Sequence, residues 1–137
     1  MTKKERVIAA IEGREPDKIP SGFSLHFPME VAFGDAAVDA HIRFFEESDT
    51  DILKIMNENQ VPYMGEIHHG SDYQMVREMT LEDSFMQDQI TLVKKILERC
   101  DRSAFTLGTL HGITASSIHP LEKMAPDYTY DGVREKL

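Results

Sequence analysis

Residues 51–57 of the chain read DILKIMN. A short and mostly apolar run of this kind is typical of a strand that is covered on both faces of a parallel sheet. Apolar residues at helical spacing precede it between Gly34 and Ser48, and a second apolar stripe follows it after Thr80. The stripe consists of Met86, Ile90, Val93, Leu97 and Cys100. A strand between two helices indicates a βαβ arrangement and therefore a parallel sheet.

Further elements are predicted on both sides of this centre. Thr2 and Glu5 have the spacing of a capping box, which predicts a short helix that ends at Gly13. Residues 19–28 alternate apolar with smaller or polar side chains between two prolines, and residues 103–110 form another short run that ends at a glycine-containing segment. Both runs are predicted to be strands.

The remaining segments are less regular. Residues 58–80 carry prolines, glycines and two adjacent histidines without a sustained period, so we expect a long loop with room for a turn of helix. Residues 113–118 predict a helical turn that stops before Pro120, and a final helix is expected after Asp131. Helices and strands therefore alternate along the chain.

Two α/β architectures fit this alternation. One is a small open doubly wound sheet, and the other is the opening part of a TIM (β/α)8 barrel. A closed barrel needs roughly 200 residues or more, so a chain of 137 residues would supply about three of its strands. On the barrel interpretation, residues 1–137 form one domain that is the N-terminal portion of a truncated barrel.

Composition excludes several classes of protein. The chain has 15 Lys and Arg against 24 Asp and Glu, a formal net charge of -9, which argues against nucleic acids and anionic membranes as partners. No apolar run reaches the roughly 20 residues that span a bilayer, and no signal-peptide block follows the N-terminus, so we expect a cytoplasmic protein. The single cysteine, Cys100, cannot form a disulfide framework or a multi-cysteine zinc site within this chain. Nucleotide-binding glycine motifs and hydrolase or zinc-protease motifs are also absent from the sequence.

Candidate functional residues follow from the rule that parallel strands carry their chemistry at their carboxyl ends. The residues that the sequence places there are His26, Phe27, Asn57, Glu58, Asn59 and His111. Glu58 and His111 are the candidate catalytic residues, because both side chains can exchange protons. The other four are candidate substrate contacts, and Gly112 beside His111 would let a ligand approach the backbone closely.

Each of these candidates has a structural alternative. His26 lies among phenylalanines and could be a half-buried, hydrogen-bonded side chain. Glu58 could be a solvated loop acid, and His111 could be a polar residue that opens a helix. We expect the loop pair 68–69, two histidines, to be solvated, and Cys100 to be a small core residue. No metal ligand is assigned within this chain.

Three stretches of the sequence resemble the uroporphyrinogen decarboxylase family. Residues 2–20, TKKERVIAAIEGREPDKIP, are similar to the family's opening pattern xRxxxAxxGxxPDRxP. The resemblance continues through residues 49–58, DTDILKIMNE, and residues 105–112, FTLGTLHG. It implies a (β/α)8 barrel with one of two activities. One is the cofactor-free decarboxylation of tetrapyrrole acetate side chains in porphyrin biosynthesis, and the other is a corrinoid-dependent methyl transfer to thiols.

Departures from the family pattern favour the methyltransferase-like branch. Residues 19–28 contain no arginine, whereas the decarboxylase has an arginine-rich segment at the first strand. Guanidinium groups that bind carboxylates with two hydrogen bonds are needed to hold a substrate with many carboxylates. Glu58 replaces an aspartate of the decarboxylase, and Ser117 lies near its expected tyrosine. In the methyltransferases zinc activates the thiol through a His-x-Cys pair and a distant cysteine, and such ligands would lie beyond Leu137.

The resemblance also implies partners. We expect a small-molecule, tetrapyrrole or corrinoid substrate, a corrinoid carrier protein as a further partner, and a homo-oligomer as one assembly state. Zinc and a corrinoid are the cofactors implied for a complete enzyme. Two alternatives to methyl transfer stay open at this stage. They are true uroporphyrinogen decarboxylation and a stand-alone, non-catalytic α/β module that binds a small ligand or a partner chain.

Overall fold

A computed structural model describes residues 1–56 and 61–126 of the chain. In chain order its helices and strands are α1 (Lys3–Ile11), α2 (Gly34–Ser48), β1 (Ile52–Ile55), α3 (Ser84–Arg99), β2 (Phe105–Gly108) and α4 (Ile113–Met124). Short 3-10 helices cover Met29–Val31 and Gly70–Met75, the second within the predicted long loop. The helix expected after Asp131 lies outside the described residues.

The two strands confirm the prediction of a parallel sheet. β1 and β2 pair in parallel, with Ile52 opposite Phe105 and Ile55 opposite Gly108. The connection between them runs through α3, as a βαβ arrangement requires. The described part of the chain is therefore a mixed α/β structure with two parallel strands.

The prediction of a strand over residues 19–28 is wrong, since the structure forms none there. Only Gly22 makes a bridge there, and its partner is Ile52 on β1. Proline at both ends of the stretch removes two ladder donors, and the Ser21 amide donates to the carboxylate of Asp51 at 2.9 Å instead of to a strand. A Cβ at Gly22 would lie 2.9 Å from the Cβ of Ile52, so the close approach of the two chains at this bridge requires glycine.

One face of the sheet is covered by α2 and α3. Leu53 and Ile55 point into this layer, where they pack in a single apolar core. The buried residues of the core are Ala37, Val38, Phe45, Leu53, Ile55, Leu92, Ile96 and Ala104. Cys100 packs against the edge of the core, as expected for a small apolar residue, and burial raises the pKa of its thiol.

The apolar stripe predicted for α3 faces the core only in part. Leu92 and Ile96 are buried, whereas Val93 and Leu97 are 37% and 46% exposed. The apolar sector of α3 is wide enough to include both pairs, because residues 92 and 93 differ by only one helical step of 100°. Packing against α2 and the sheet selects the side that carries Leu92, a tertiary preference that the periodicity of one helix does not contain.

Helix α4 also differs from its prediction, since it continues through Pro120 to Met124. The fixed φ of proline is compatible with a helix, and the preceding loop makes hydrogen bonds to the turn that follows Pro120. The amide of Ile67 donates to the carbonyl of Met124 at 2.9 Å, and Lys123 Nζ donates to the carbonyl of Val61 at 2.8 Å. These contacts hold the last turn of α4.

The amino end of the sheet is closed by charged side chains around Arg6 of α1. The guanidinium binds both carboxylate oxygens of Asp17, at 2.6 and 3.0 Å, and its Nη1 donates to the buried carboxylate of Asp51. Asp51 immediately precedes β1, and its other oxygen accepts from Ser21. α1 begins with the capping box that the sequence predicts. No helix among residues 1–56 and 61–126 is long and apolar enough to cross a bilayer.

Candidate functional site

The carboxyl ends of β1 and β2 lie side by side. Thr109 follows β2, and both its amide and its hydroxyl donate to the carbonyl of Ile55, at 3.1 and 2.9 Å. The chain therefore leaves both strands from the same edge, where Met56 follows Ile55 and Thr109 follows its partner Gly108. This edge is where the sequence places Glu58 and His111.

His41 fixes the end of β1 from inside the fold. Its side chain is buried on α2, with Nδ1 2.6 Å from the carbonyl of Ala37, and Nε2 accepts the amide of Met56 at 2.9 Å. A nitrogen that accepts an N–H carries no proton, so this geometry defines a neutral imidazole with its proton on Nδ1. The sequence places His41 on a helix face, but it gives no signal that this side chain reaches the last residue of a strand.

The residues predicted at the first strand end are divided by the structure. Phe27 is half-buried, with its ring centroid 4.7 Å from that of His41 and 6.4 Å from that of Phe44. His26, its neighbour, is exposed. Phe27 thus belongs to the apolar surroundings of His41, and its role as a substrate contact stays a prediction.

Three of the predicted site residues lie outside the described residues. They are Asn57, Glu58 and Asn59. The structure places the residue before them, Met56, at the common edge of the two strands. Their roles as catalytic acid/base and substrate contacts stay predictions.

His111 is hydrogen-bonded to a second histidine that sequence reasoning missed. His111 Nδ1 lies 3.3 Å from His119 Nε2, with the two rings edge to face at a centroid distance of 4.9 Å. His119 Nδ1 in turn lies 2.9 Å from Glu122 Oε2. We call this series of groups the Glu122–His119–His111 chain. It places a carboxylate, a bridging imidazole and a terminal imidazole in sequence at the carboxyl end of β2.

Local structure explains how the three residues meet. His119 and Glu122 are three positions apart on α4, which puts their side chains on one face of the helix. His111 precedes Gly112, the N-cap of the same helix. The spacing of His119 and Glu122 is visible in the sequence, but the predicted stop before Pro120 leaves Glu122 outside the helix.

Two apolar residues close to His111 in sequence are almost fully exposed. Leu110 and Ile113 flank it, and their side chains are 94% and 91% exposed. Across α4, the hydroxyl of Tyr73 donates to the carbonyl of Ser117, and the amide of Met64 donates to Met124 Sδ at 3.1 Å. The 61–76 segment thus packs against α4 while the apolar rim of His111 faces solvent.

A cleft of about 500 Å³ lies elsewhere, between residues 32–35 and α3. Two of the charged residues that line it, Asp35 and Lys95, pair with each other at 2.6 Å, and this ion pair lowers the pKa of Asp35. Asp88 also lines the cleft, which lies apart from the Glu122–His119–His111 chain.

The loop histidines behave as the sequence predicts for solvated side chains. His68 pairs with Glu66 at 3.0 Å, and both side chains are about half exposed. In the part of the chain that the structure describes, no three His, Cys, Asp or Glu side chains form a group that could hold a metal ion.

Comparisons with protein-family models, with curated proteins and with solved structures found no match to this chain. The class that the structure itself defines is an α/β protein with titratable groups at the carboxyl edge of two parallel strands.

Proposed function

We propose that this chain belongs to a cytoplasmic (β/α)8 barrel enzyme of the uroporphyrinogen decarboxylase type, on its corrinoid-dependent, methyltransferase-like branch. The observation that carries the proposal is the position of the Glu122–His119–His111 chain, where the carboxyl ends of two parallel strands meet. Barrel enzymes place their active sites at this edge. His111 is the proposed acid/base group, with Glu58 as a second one.

The residues that carry the family resemblance support the proposal from the opposite end of the sheet. Arg6 and Asp17 belong to the opening pattern, and Asp51 belongs to the second similar stretch. The structure joins all three in one network at the amino end of β1. These residues of the family pattern therefore have a structural role in this chain. A structural role is what we expect if the chain shares the scaffold of the family.

The distribution of cations supports the methyltransferase-like branch. A tetrapyrrole with many carboxylates needs arginine forks at the site, and residues 19–28 supply none. Four arginines of the described segments pair with acidic residues instead. These are Arg6 with Asp17 and Asp51, Arg14 with Glu12, Arg77 with Asp83, and Arg99 with Asp39.

The exposed rim of His111 supports a large apolar ligand. Leu110 and Ile113 together offer an uncovered apolar surface beside the acid/base group, and ligand sites commonly combine such surfaces with a few polar groups. A corrinoid ring, delivered free or by a corrinoid carrier protein, is a large ligand of this kind. Predicted contacts from His26, Phe27, Asn57 and Asn59 would complete the site, and any zinc would be held by residues outside this chain.

A binding comparison tests the proposal. The chain is titrated with hydroxocobalamin and, separately, with uroporphyrin, and binding is followed by absorbance and calorimetry. We expect the corrinoid to bind more tightly. The Leu110→Asp variant should weaken corrinoid binding at least tenfold, because it puts a carboxylate into the apolar rim.

Ile19→Asp is the matched control, since Ile19 is similarly exposed but precedes the Gly22 bridge at the amino end of β1. Its corrinoid affinity should equal that of the wild type. Tighter binding of uroporphyrin, with release of carbon dioxide from uroporphyrinogen, would replace the proposal by decarboxylation. Binding of neither ligand would favour the non-catalytic module.

A further inference from the structure

We infer that His119 and Glu122 are positioning residues that fix the tautomer of His111, so that His111 presents an unprotonated Nε2 to the ligand. The inference rests on the proposed function only for the identity of the group that meets this nitrogen. The proton arrangement itself follows from the geometry of the three side chains.

When both imidazoles are neutral, each hydrogen bond in the Glu122–His119–His111 chain fixes the position of the next proton. A carboxylate can only accept, so the Glu122 oxygen at 2.9 Å requires the proton of His119 to be on Nδ1. His119 Nε2 then has a lone pair, and it can only accept from His111 Nδ1 at 3.3 Å. With its proton on Nδ1, His111 keeps a lone pair on Nε2.

Burial of His119 favours this arrangement of protons on the two imidazoles. The His119 side chain is only 13% exposed, so water competes little for its two nitrogens, whereas Glu122 is 46% exposed and its charge stays hydrated. Two other polar side chains on α4 and the segment packed against it have hydrogen-bond partners of their own. Lys123 Nζ donates to the carbonyl of Val61, and the hydroxyl of Tyr73 donates to that of Ser117.

The chemical step is a proton transfer. His111 Nε2 takes the proton of a weakly acidic X–H group of the ligand, so the X–H bond breaks, an N–H bond forms, and X keeps the electron pair. The resulting imidazolium donates from its Nδ1 to Nε2 of His119. The Nδ1–H group of His119 continues to donate to the carboxylate of Glu122. A third group that orients and stabilises a catalytic imidazole in this way sets its tautomer without being protonated itself.

The test is nuclear magnetic resonance of the chain labelled with ¹⁵N-histidine. Two-bond ¹H–¹⁵N correlations are recorded at pH 8, above the ordinary histidine pKa of about 6.5. These correlations report which ring nitrogen carries the proton. We expect the Nδ1–H form for His111, whereas a solvated imidazole favours the Nε2–H form. His111→Gln and His119→Gln identify the two sets of signals.

Variants separate positioning from packing. Glu122→Gln should move His111 towards a mixture of tautomers, because an amide can donate as well as accept. A glutamine at position 119 can likewise donate or accept, so His119→Gln should also give a mixture of tautomers, and His119→Ala should lose the Nδ1–H preference. Glu66→Gln, which alters the exposed carboxylate paired with His68, is the matched control and should leave the His111 signals unchanged.

The outcomes distinguish this inference from the proposed function. An Nε2–H form of His111 in the wild type, or an unchanged His111 in Glu122→Gln, overturns the inference whatever ligand binds. The expected tautomers without corrinoid binding keep the inference and reject the proposed function. Where turnover is measured, Glu122→Gln should lower kcat by about a hundredfold with little change in KM, because a general base contributes on the order of 10²–10⁴.

Discussion

At the scale of single residues, Asp51 is the charge on which the amino end of the sheet depends. It is fully buried, it binds Arg6 with one oxygen, and it accepts the Ser21 amide with the other. Burial acts to raise its pKa, but the Ser21 and Arg6 hydrogen bonds outweigh burial, so its pKa lies below the ordinary 3.8. Its ionised form therefore stabilises the fold.

Replacing this charge gives a prediction with a defined pH dependence. Asp51→Asn should lower the free energy of unfolding by about 3 kcal/mol at pH 7, because the buried Arg6 loses one of its two anions. Asp39→Asn, an exposed partner of Arg99, should have little effect. Chemical denaturation measures both variants.

The sign of the pH effect follows from the lowered pKa of Asp51. Its stabilisation is fully present above the ordinary pKa of 3.8 and is lost as the pH falls through the lower folded value. The stability difference between the wild type and Asp51→Asn should therefore be constant above about pH 5 and shrink in acid. A difference that grows on acidification would contradict this account.

At the scale of elements, neighbouring residues of α3 offer a direct test of its orientation. Ile96 is fully buried in the core, and Leu97 is 46% exposed. Ile96→Ala should destabilise the chain by about 3 kcal/mol through lost burial and a cavity. Leu97→Ala removes a similar volume and should cost less than about 1 kcal/mol. A larger loss for Leu97→Ala than for Ile96→Ala would mean that α3 buries the face predicted from its stripe.

The same helix shows how far sequence reasoning reaches. The existence and type of α2, α3 and β1 follow from local periodicity, which depends on each segment alone. The buried face of α3 depends on α2, and the site contact between His111 and His119 depends on how α4 continues past Pro120. These features are set by packing between segments, so a pattern within one segment cannot contain them.

At the scale of the whole molecule, the two ends of the sheet carry different kinds of polar groups. The amino end carries the ion pairs of Arg6 with Asp17 and Asp51, which lower the pKa values of both carboxyls. The carboxyl end carries the titratable side chains of the Glu122–His119–His111 chain. The charges that stabilise the fold are thus separated from the proposed site, so the site could change without loss of the scaffold.

Within residues 1–56 and 61–126, one face of the sheet is partly exposed and the outer edge of β2 has no paired strand. Leu53 and Ile55 face α2 and α3, so Lys54 and its partner Leu107 lie on the opposite face, where Leu107 is 46% exposed. Among the described residues, β2 pairs with β1 alone. Because Phe105 directs its amide to β1, the alternating backbone directs that of Thr106 to the free edge.

An open edge beside an exposed apolar face predicts self-association of the 137-residue chain. Sedimentation velocity should show a concentration-dependent oligomer, strengthened by salt because the net charge of -9 repels a second copy. Leu107→Lys should shift the chain to monomer, since it puts a charge on the open face. Ile11→Lys, on the exposed side of α1, should leave association unchanged. A wild-type chain that stays a single cooperative monomer at every concentration would instead favour the stand-alone module, because its open edge would then need no partner strand.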